Sequence, residues 1–223
     1  MSISLLLEEM AISKKAFRRA VRDDRAQVFT KTEVLELEAY VDKHMSMQNL
    51  GVMLAFQTGL RCGELSALQW SDIQSDAIHV TKTEIRYRDA VTNEYVFEIR
   101  DFTKGKDGER YVILTPDAQA TLQKIRRQNP FGEYIFMSKG KRLKAQCFGK
   151  AIKRMCENNG MARRSIHKAR KTYATNLKNH GVDDKLIQKQ MGHADIATTN
   201  GYYYFDNHDF TEAKEILSKC VVN

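Results

Sequence analysis

A block of strand-forming sequence, residues 77–114, lies between segments with helical periodicity, and this arrangement limits the possible folds most. Within the block, β-branched and aromatic residues alternate with polar ones in the runs IHVTKTEIRY, YVFEIRDF and RYVIL, a pattern typical of strands. Turn-forming residues separate the runs at 92–93 and at 105–108. Because strands joined by short turns pair antiparallel, the block predicts a small antiparallel sheet of three strands.

Helical signals occupy the rest of the chain beyond residue 28. Thr30 and Glu33 match a capping box, and Val34, Leu37 and Val41 follow on one helical face. Further helices are predicted over 47–58, within 61–68, and over 116–127, 145–159, 165–180 and 183–191, several of them ending at a glycine. The expected fold class is therefore α+β, mainly α-helical, with one small three-stranded antiparallel sheet.

The first part of the chain differs from the remainder. Residues 11–26 (AISKKAFRRAVRDDRA) are basic and weakly periodic, with no partner segment that would close a core. We expect residues 1–27 to be a leader or linker from a missing N-terminal domain, and residues 28–223 to form a single catalytic domain. Neither repeats nor low-complexity stretches interrupt the second part.

Charge and composition limit the class of protein. The chain has 36 Lys and Arg against 28 Asp and Glu, and this net charge of +8 favours a polyanionic partner such as nucleic acid. No apolar run approaches the about 20 residues that span a bilayer, and residues 1–10 lack the features of a secretory signal. No C-x-x-C pair indicates a zinc site or a disulfide framework, and free thiols in a reducing cytosol fit the scattered cysteines Cys62, Cys147, Cys156 and Cys220.

Three segments contain residue types suited to phosphate chemistry. TGLRCGELSALQWSDI places Arg61 after a glycine turn with Glu64 close by, so Arg61 either presents its donors to a phosphate or forms an ion pair with Glu64. SIHKARKTYATNL places His167 and Arg170 on one helical face, where they can contact one anion or remain solvated. QMGHADIATTNGYYYF joins the Gly-His turn at His193 to three consecutive tyrosines, which are ordinarily core or stacking residues.

The order of these segments is more specific than any one of them. A Gly-x-Arg with a nearby glutamate, a β-hairpin lysine, His-x-x-Arg, Gly-His and a tyrosine follow one another over residues 28–220. In this order the chain resembles the tyrosine recombinase (phage integrase) family. The resemblance implies a catalytic domain that cuts and rejoins double-stranded DNA through a 3′-phosphotyrosyl intermediate, with no cofactor and no metal.

The same resemblance implies a biological setting. The expected task is integration or excision of a mobile element, a phage or a transposon, by a homotetramer on DNA that is a monomer in free solution. The segment before residue 28 would lead in from a core-binding domain. No membrane is involved, and the expected location is the bacterial cytoplasm, in association with the nucleoid.

Four site residues follow from the resemblance directly. Arg61 and Arg170 correspond to the two catalytic arginines, which hold the charge that builds up on the phosphate. His167 corresponds to the His-x-x-Arg histidine, a candidate for removing the tyrosine proton. His193 corresponds to the histidine-or-tryptophan position and would donate to the phosphate.

The remaining two roles each have more than one candidate. For the hairpin lysine, a general acid for the leaving 5′-oxygen, Lys104 is preferred to Lys106 by its spacing to the strand RYVIL. For the nucleophile, Tyr202 is slightly favoured over Tyr203 by its distance from the Gly-His histidine, and Tyr204 is a third candidate.

Further segments of the chain are expected to form contact surfaces. Lys139–Arg154 and Arg163–Lys171 are expected to contact phosphates, so that affinity falls with salt. Asp209–Val222 has helical spacing and either docks on a neighbouring protomer or packs on its own domain.

The alternatives to recombination are DNA relaxation of the type IB topoisomerase kind and DNA binding without catalysis.

Overall fold

A helix with almost no exposed surface, α2 (Met47–Thr58), lies at the centre of the computed structural model, which describes residues 27–102 and 108–192. Ten of its residues are buried, and a helix that is apolar on all sides has to be covered on all sides. Gly51 allows the closest approach, because a Cβ atom there would lie 2.3 Å from Cε1 of Phe148. The aromatic side chain of Phe148 therefore packs directly against the backbone of α2.

The other elements have these bounds. The helices are α1 (Lys31–Lys43), α3 (Cys62–Ala67), α4 (Pro116–Gln128), α5 (Ala145–Asn158), α6 (Ile166–Asn179) and α7 (Asp184–Met191), with a 3₁₀ turn at Trp70–Asp72. The strands are β1 (Ile73–Gln74), β2 (Ala77–Val80), β3 (Lys82–Arg88), β4 (Tyr95–Asp101), β5 (Arg110–Ile113), β6 (Met137–Ser138) and β7 (Lys141–Arg142). Helices α4, α5 and α6 pack on α2, and α7 packs on α6 and β5.

The predicted α+β class with a small three-stranded antiparallel sheet is confirmed, but the strands of that sheet differ from the predicted ones. The sheet has the order β1-β2-β5, whereas β3 and β4 form a separate hairpin. The run predicted as one strand, IHVTKTEIRY, is divided at Thr81, whose carbonyl oxygen accepts a hydrogen bond from the amide of Phe102 at 2.8 Å. The hairpin ends at this pair. The next strand, β5, therefore pairs with β2 and not with β4.

Local capping signals explain the helix ends. Thr30 and Glu33 form the predicted capping box of α1, and the Thr115 hydroxyl accepts from the amide of Ala118 at the start of α4. Gly59 ends α2 in the left-handed conformation, with φ of 66°. Among the described residues, no helix has both the length and the apolar content needed to cross a membrane.

Candidate active site

The turn between α2 and α3 places the first predicted site residue, Arg61. Gly59 is required there for two reasons: its φ is positive, and a Cβ atom would lie 2.5 Å from Cδ1 of the Tyr173 ring. Arg61 is the N-cap residue of α3. The turn thus directs Arg61 toward the end of α7.

Arg61 is held on two sides and remains accessible. Its Nη1 donates to Oε1 of Glu64 at 2.7 Å, and its Nη2 donates to the carbonyl oxygen of Gly192 at 2.9 Å. The side chain is nevertheless 40% exposed. The predicted ion pair with Glu64 is present, and the exposed part of the guanidinium leaves the predicted contact with a phosphate sterically open.

Arg170 approaches the same place from α6 and is buried, with 1% of its surface exposed. Its Nη1 donates to the carbonyl oxygen of Gly59, and its Nη2 donates to the carbonyl oxygen of Met191. Arg61 binds Gly192, the next carbonyl along the chain. The structure thus brings the two predicted catalytic arginines together at the C-terminal end of α7.

A third arginine, Arg110 on β5, completes this cluster. Its Nη1 and Nη2 donate to the two carboxylate oxygens of Glu64 at 3.0 and 2.9 Å, and its Nε donates to the carbonyl oxygen of Gln190 at 2.8 Å. Its Nη1 also donates to the carbonyl oxygen of Gly108 at 3.1 Å. Arg110 therefore links Glu64, the end of α7 and the beginning of β5.

The sequence interpretation did not assign a role to Arg110, although one signal was present. Tyr111 and Ile113 are exposed on β5, so Arg110 shares the inward face with Val112. A charged residue on the inward face of a strand needs a buried partner of opposite charge. Glu64 was already singled out, and it is that partner.

The buried carboxylate of Glu64 is ionised. Burial by itself would raise the pKa of Glu64, but the hydrogen bonds and charge of Arg110, with the charges of Arg170 and Arg61, lower it to about 2. Glu64 thus remains negative near neutral pH and offsets part of the positive charge around it. The remaining positive charge makes the cluster suited to bind an anion.

His167 lies one helical turn before Arg170 on α6 and is neutral near pH 7. Loss of solvation lowers its pKa, and the charges of Lys171, Arg170, Lys168 and Arg61 lower it further, to about 4. A neutral imidazole can accept a proton, which an imidazolium cannot. His167 is therefore a neutral imidazole close enough to Arg170 and Arg61 for their charges to lower its pKa.

The other four predicted site residues, Lys104, His193, Tyr202 and Tyr203, lie outside the described residues, as do Tyr204 and the segment 209–223. The described residues that border two of these segments do belong to the cluster. Gly108 follows the segment that contains Lys104, and its carbonyl oxygen accepts from Arg110. Gly192 precedes His193, and its carbonyl oxygen accepts from Arg61.

The expected phosphate surface on α6 is wrong in part. Lys171 is 5% exposed and its Nζ donates to Oε1 of Gln27 at 3.2 Å. Arg164 is largely covered too, because it pairs with Glu33 at 2.8 Å. The helical period turns Lys171 inward, and Arg164, which precedes α6, is covered by its ion pair. The segment Arg163–Lys171 therefore provides fewer surface charges than its sequence suggests.

Comparison with protein families decides the assignment of the chain. The model of the phage integrase family matches residues 27–208, which include both arginines, Glu64, His167 and the end of α7. The chain belongs to the phage integrase family. The family domain therefore includes all of the described residues.

Curated relatives are 27% and 29% identical to the chain over the aligned residues. The tyrosine recombinase XerD of Chlamydia trachomatis serovar D is 27% identical over 183 residues, covering 77% of this chain and 53% of that protein. Transposase A from transposon Tn554 of Staphylococcus aureus (strain Mu50) is 29% identical over 183 residues, covering 78% and 48%. The chain spans about half the length of the curated relatives it matches.

Solved structures of integrases and recombinases have the same fold. The Tn1549 transposon integrase, in complex with transposon right end DNA, superposes with a TM-score of 0.66 at 19% identity, covering 87% of this chain and 66% of that one. The XerA recombinase gives a TM-score of 0.66 at 20% identity, covering 88% and 65%. At these identities the likeness establishes the fold of this phage integrase family member, including its mainly helical α+β class.

Proposed function

We propose that the chain is the catalytic part of a site-specific DNA recombinase that cleaves and rejoins double-stranded DNA through a 3′-phosphotyrosyl intermediate. The observation that carries the proposal is the convergence of Arg61 and Arg170 on adjacent carbonyls, those of Gly192 and Met191, directly before the Gly-His histidine. Membership of the phage integrase family supports the same chemistry.

The arginines would stabilise the transition state. Attack on a phosphodiester increases the negative charge on the non-bridging oxygens, and fixed donors in a site shielded from water stabilise that charge without reorganisation. Arg170 is fixed by two carbonyls and Arg61 by Glu64 and Gly192. Two cations held at the end of one helix are suited to hold the phosphate between the attacking and leaving oxygens.

The proton transfers would use a base and an acid. A phenol with a pKa near 10 needs proton removal or strong hydrogen bonding to attack at neutral pH. His167 would accept that proton: its pKa of about 4 makes it a weak base but leaves a ring nitrogen unprotonated near pH 7. We assign the nucleophile to Tyr202 or Tyr203. Lys104 would protonate the leaving 5′-oxygen, and His193 would donate to the phosphate.

The wider setting of the reaction belongs to the same proposal. The relatives are named as recombinases and a transposase, and the Tn1549 integrase was solved with transposon DNA. We therefore propose integration or excision of a mobile element, by a homotetramer that assembles on DNA from monomers. Access to bacterial chromosomal DNA would place the protein in the cytoplasm at the nucleoid.

A nicked suicide substrate tests the proposal. A duplex from the ends of the host element, nicked close to the cleavage site, loses its short 5′-hydroxyl strand after attack and so traps the covalent adduct. We expect an adduct on denaturing gels that maps to Tyr202 or Tyr203, disappears in one of the variants Tyr202→Phe and Tyr203→Phe, and does not form with Arg170→Ala.

The rival functions give different results in the same assay. Site binding without any adduct would favour a DNA-binding protein that lacks catalysis. Adduct formation with relaxation of supercoiled plasmid, but with no exchange between two sites, would favour a topoisomerase-like activity. Recombinant junctions between two labelled duplexes would exclude both.

A further inference from the structure

One face of the β3–β4 hairpin carries cations stacked on aromatic rings. The Cζ atom of Arg86 lies 3.7 Å from the centre of the Tyr95 ring, and that of Arg88 lies 5.4 Å from the same ring. The Nζ atom of Lys144, which precedes α5, lies 4.0 Å from the centre of the Phe97 ring. These residues, Arg86, Arg88, Tyr95, Phe97 and Lys144, are called the hairpin face below.

The register of the hairpin explains why these residues share a face. Arg86 pairs with Phe97 and Arg88 pairs with Tyr95, and side chains of directly paired residues lie on the same side of a sheet. Both arginines, Lys144 and Tyr95 are exposed. The cations and the ring of Tyr95 are therefore open to solvent together.

The two faces of the hairpin differ in charge. None of the three cations of the hairpin face takes part in a salt bridge among the described residues. On the opposite face, Arg100 forms a salt bridge with Glu98 at 3.0 Å. Positive charge without a carboxylate partner is thus confined to one side.

The base of the hairpin face is anchored to the domain by Glu84. Its side chain is buried and accepts hydrogen bonds from the amide of Ala145 at 2.8 Å, from Ser66 Oγ at 3.0 Å and from Arg142. Ala145 is the first residue of α5, so the carboxylate also lies at the positive end of that helix. The hairpin and Lys144 are therefore fixed relative to each other.

We propose that the hairpin face binds the sugar-phosphate backbone of duplex DNA, outside the catalytic cluster. The inference rests on the proposed function, because it takes DNA as the substrate. A guanidinium stacked on a ring keeps its N–H edge free to donate to a phosphate, and the ring limits the rotamers that binding would otherwise have to order. The exposed Tyr95 hydroxyl is a further donor to phosphate oxygens.

The size of the hairpin fits this partner. Its seven residue pairs extend over roughly 23 Å at about 3.3 Å per residue, which corresponds to about seven base pairs of duplex. The short ribbon β6–β7 adds two exposed lysines, Lys139 and Lys141, close to Lys144 in the chain. The hairpin is therefore long enough to follow a backbone for about two thirds of a helical turn.

Salt-dependent binding tests the proposal. The chain and its variants are titrated against a fluorescent 30-bp duplex of arbitrary sequence at several salt concentrations, since backbone contacts carry no sequence information. We expect Arg86→Ala and Arg88→Ala each to weaken binding about tenfold and to reduce the slope of log Kobs against log salt by about 0.9. The matched control is Arg100→Ala, which removes the same charge and a ring contact from the opposite face and should change neither quantity.

Three outcomes overturn the inference. The first is an unchanged slope in Arg86→Ala and Arg88→Ala, and the second is an equal loss in Arg100→Ala. The third is a change of oligomeric state in the same two variants, measured by analytical ultracentrifugation, with DNA affinity unchanged, because the face would then bind a second copy. A circular dichroism spectrum like that of the unmodified chain shows that each variant is folded, and Arg86→Lys should restore most of the slope.

The suicide substrate separates this inference from the proposed function. At protein concentrations below saturation, Arg86→Ala should form less covalent adduct than the unmodified chain because it binds less DNA, whereas Arg100→Ala on the opposite face should form as much. If the adduct forms but Arg86→Ala and Arg88→Ala have the salt slope of the unmodified chain, the recombinase proposal stands and only the hairpin surface is overturned. If the two variants lower the salt slope but no adduct forms, the hairpin surface stands and the recombinase proposal is overturned.

Discussion

The arginine cluster of the candidate active site and the hairpin face both contain arginines, but their guanidinium groups have different partners. Arg110 and Arg170 are buried, and their donors bind Glu64 and backbone carbonyls. Arg86 and Arg88 are exposed and stack on Tyr95. The first pair is held by several directional hydrogen bonds. Arg86 stacks on the ring, and Arg88 has that ring and one hydrogen bond, from its Nε to the carbonyl oxygen of Asn93 at 3.1 Å.

The two environments suit arginine to two different functions, stabilising a transition state and binding a phosphate backbone. A buried guanidinium with several fixed acceptors is oriented in advance, which is what transition-state stabilisation requires. An exposed guanidinium on a ring keeps donors available and interacts with phosphates by charge, which gives affinity that falls with salt. Changes in the cluster should therefore affect folding and rate, and changes on the hairpin face should affect binding.

Removing the shared carboxylate should have the largest effect. Glu64→Gln leaves Arg110, Arg61 and Arg170 without their buried negative partner, and breaking a buried pair in this way costs about 3–5 kcal/mol. Urea denaturation measures the free energy of unfolding. Glu98→Gln is the control, because its exposed pair with Arg100 is worth about 0–1 kcal/mol. Equal losses in the two variants would remove the distinction between the regions.

Replacing arginine by lysine in each region should separate rate from binding. Arg170→Lys keeps the charge but cannot donate to both Gly59 and Met191, so adduct formation should slow by about 100- to 1,000-fold. Binding to duplex should change less than about threefold. Arg86→Lys should leave the rate of adduct formation unchanged. A slow Arg86→Lys with a normal Arg170→Lys would reverse the assignment of the two regions.

Acid should destabilise the protein through the cluster. The folded-state pKa of Glu64 is about 2 against an ordinary value of 4.5. Its contribution is therefore fully present above about pH 4.5 and is lost as the pH falls toward 2, because the unfolded chain takes up the proton first. The loss is about 3 kcal/mol. Unfolding measured by urea at several pH values should show this dependence, and Glu64→Gln should lack it.

A methyl group at Gly192 should have a smaller effect that still reaches the cluster. Gly192 has φ of 62°, and a Cβ atom there would lie 2.8 Å from Cδ of Arg110. Gly181 has φ of 73° with nothing within 4 Å of that position. Both Ala variants carry the cost of a left-handed residue, about 1–2 kcal/mol. Only Gly192→Ala should also slow adduct formation, and equal rates in the two would contradict a role for Arg110 in positioning.

Much of the local structure could be predicted from the sequence. The helices begin and end close to the predicted residues because capping boxes, glycines with positive φ and a proline at the first turn act over a few residues. The strand boundaries were less predictable. The chain from Ile78 to Tyr87 alternates throughout, and the break at Thr81 depends on the pairing of that residue with Phe102 across the hairpin.

By itself, the sequence determined the family, the order of the motifs and the spacing of His167 and Arg170 on one helical face, because these are properties of neighbouring residues. Only the tertiary structure decided that Glu64 is shared by Arg61 and Arg110, and that Arg170 joins them through carbonyls at the end of α7. The same holds for the inward position of Lys171 and the stacking of Arg86 on Tyr95. The physical reason is that burial and contacts between distant segments depend on how the elements pack, which no local pattern records.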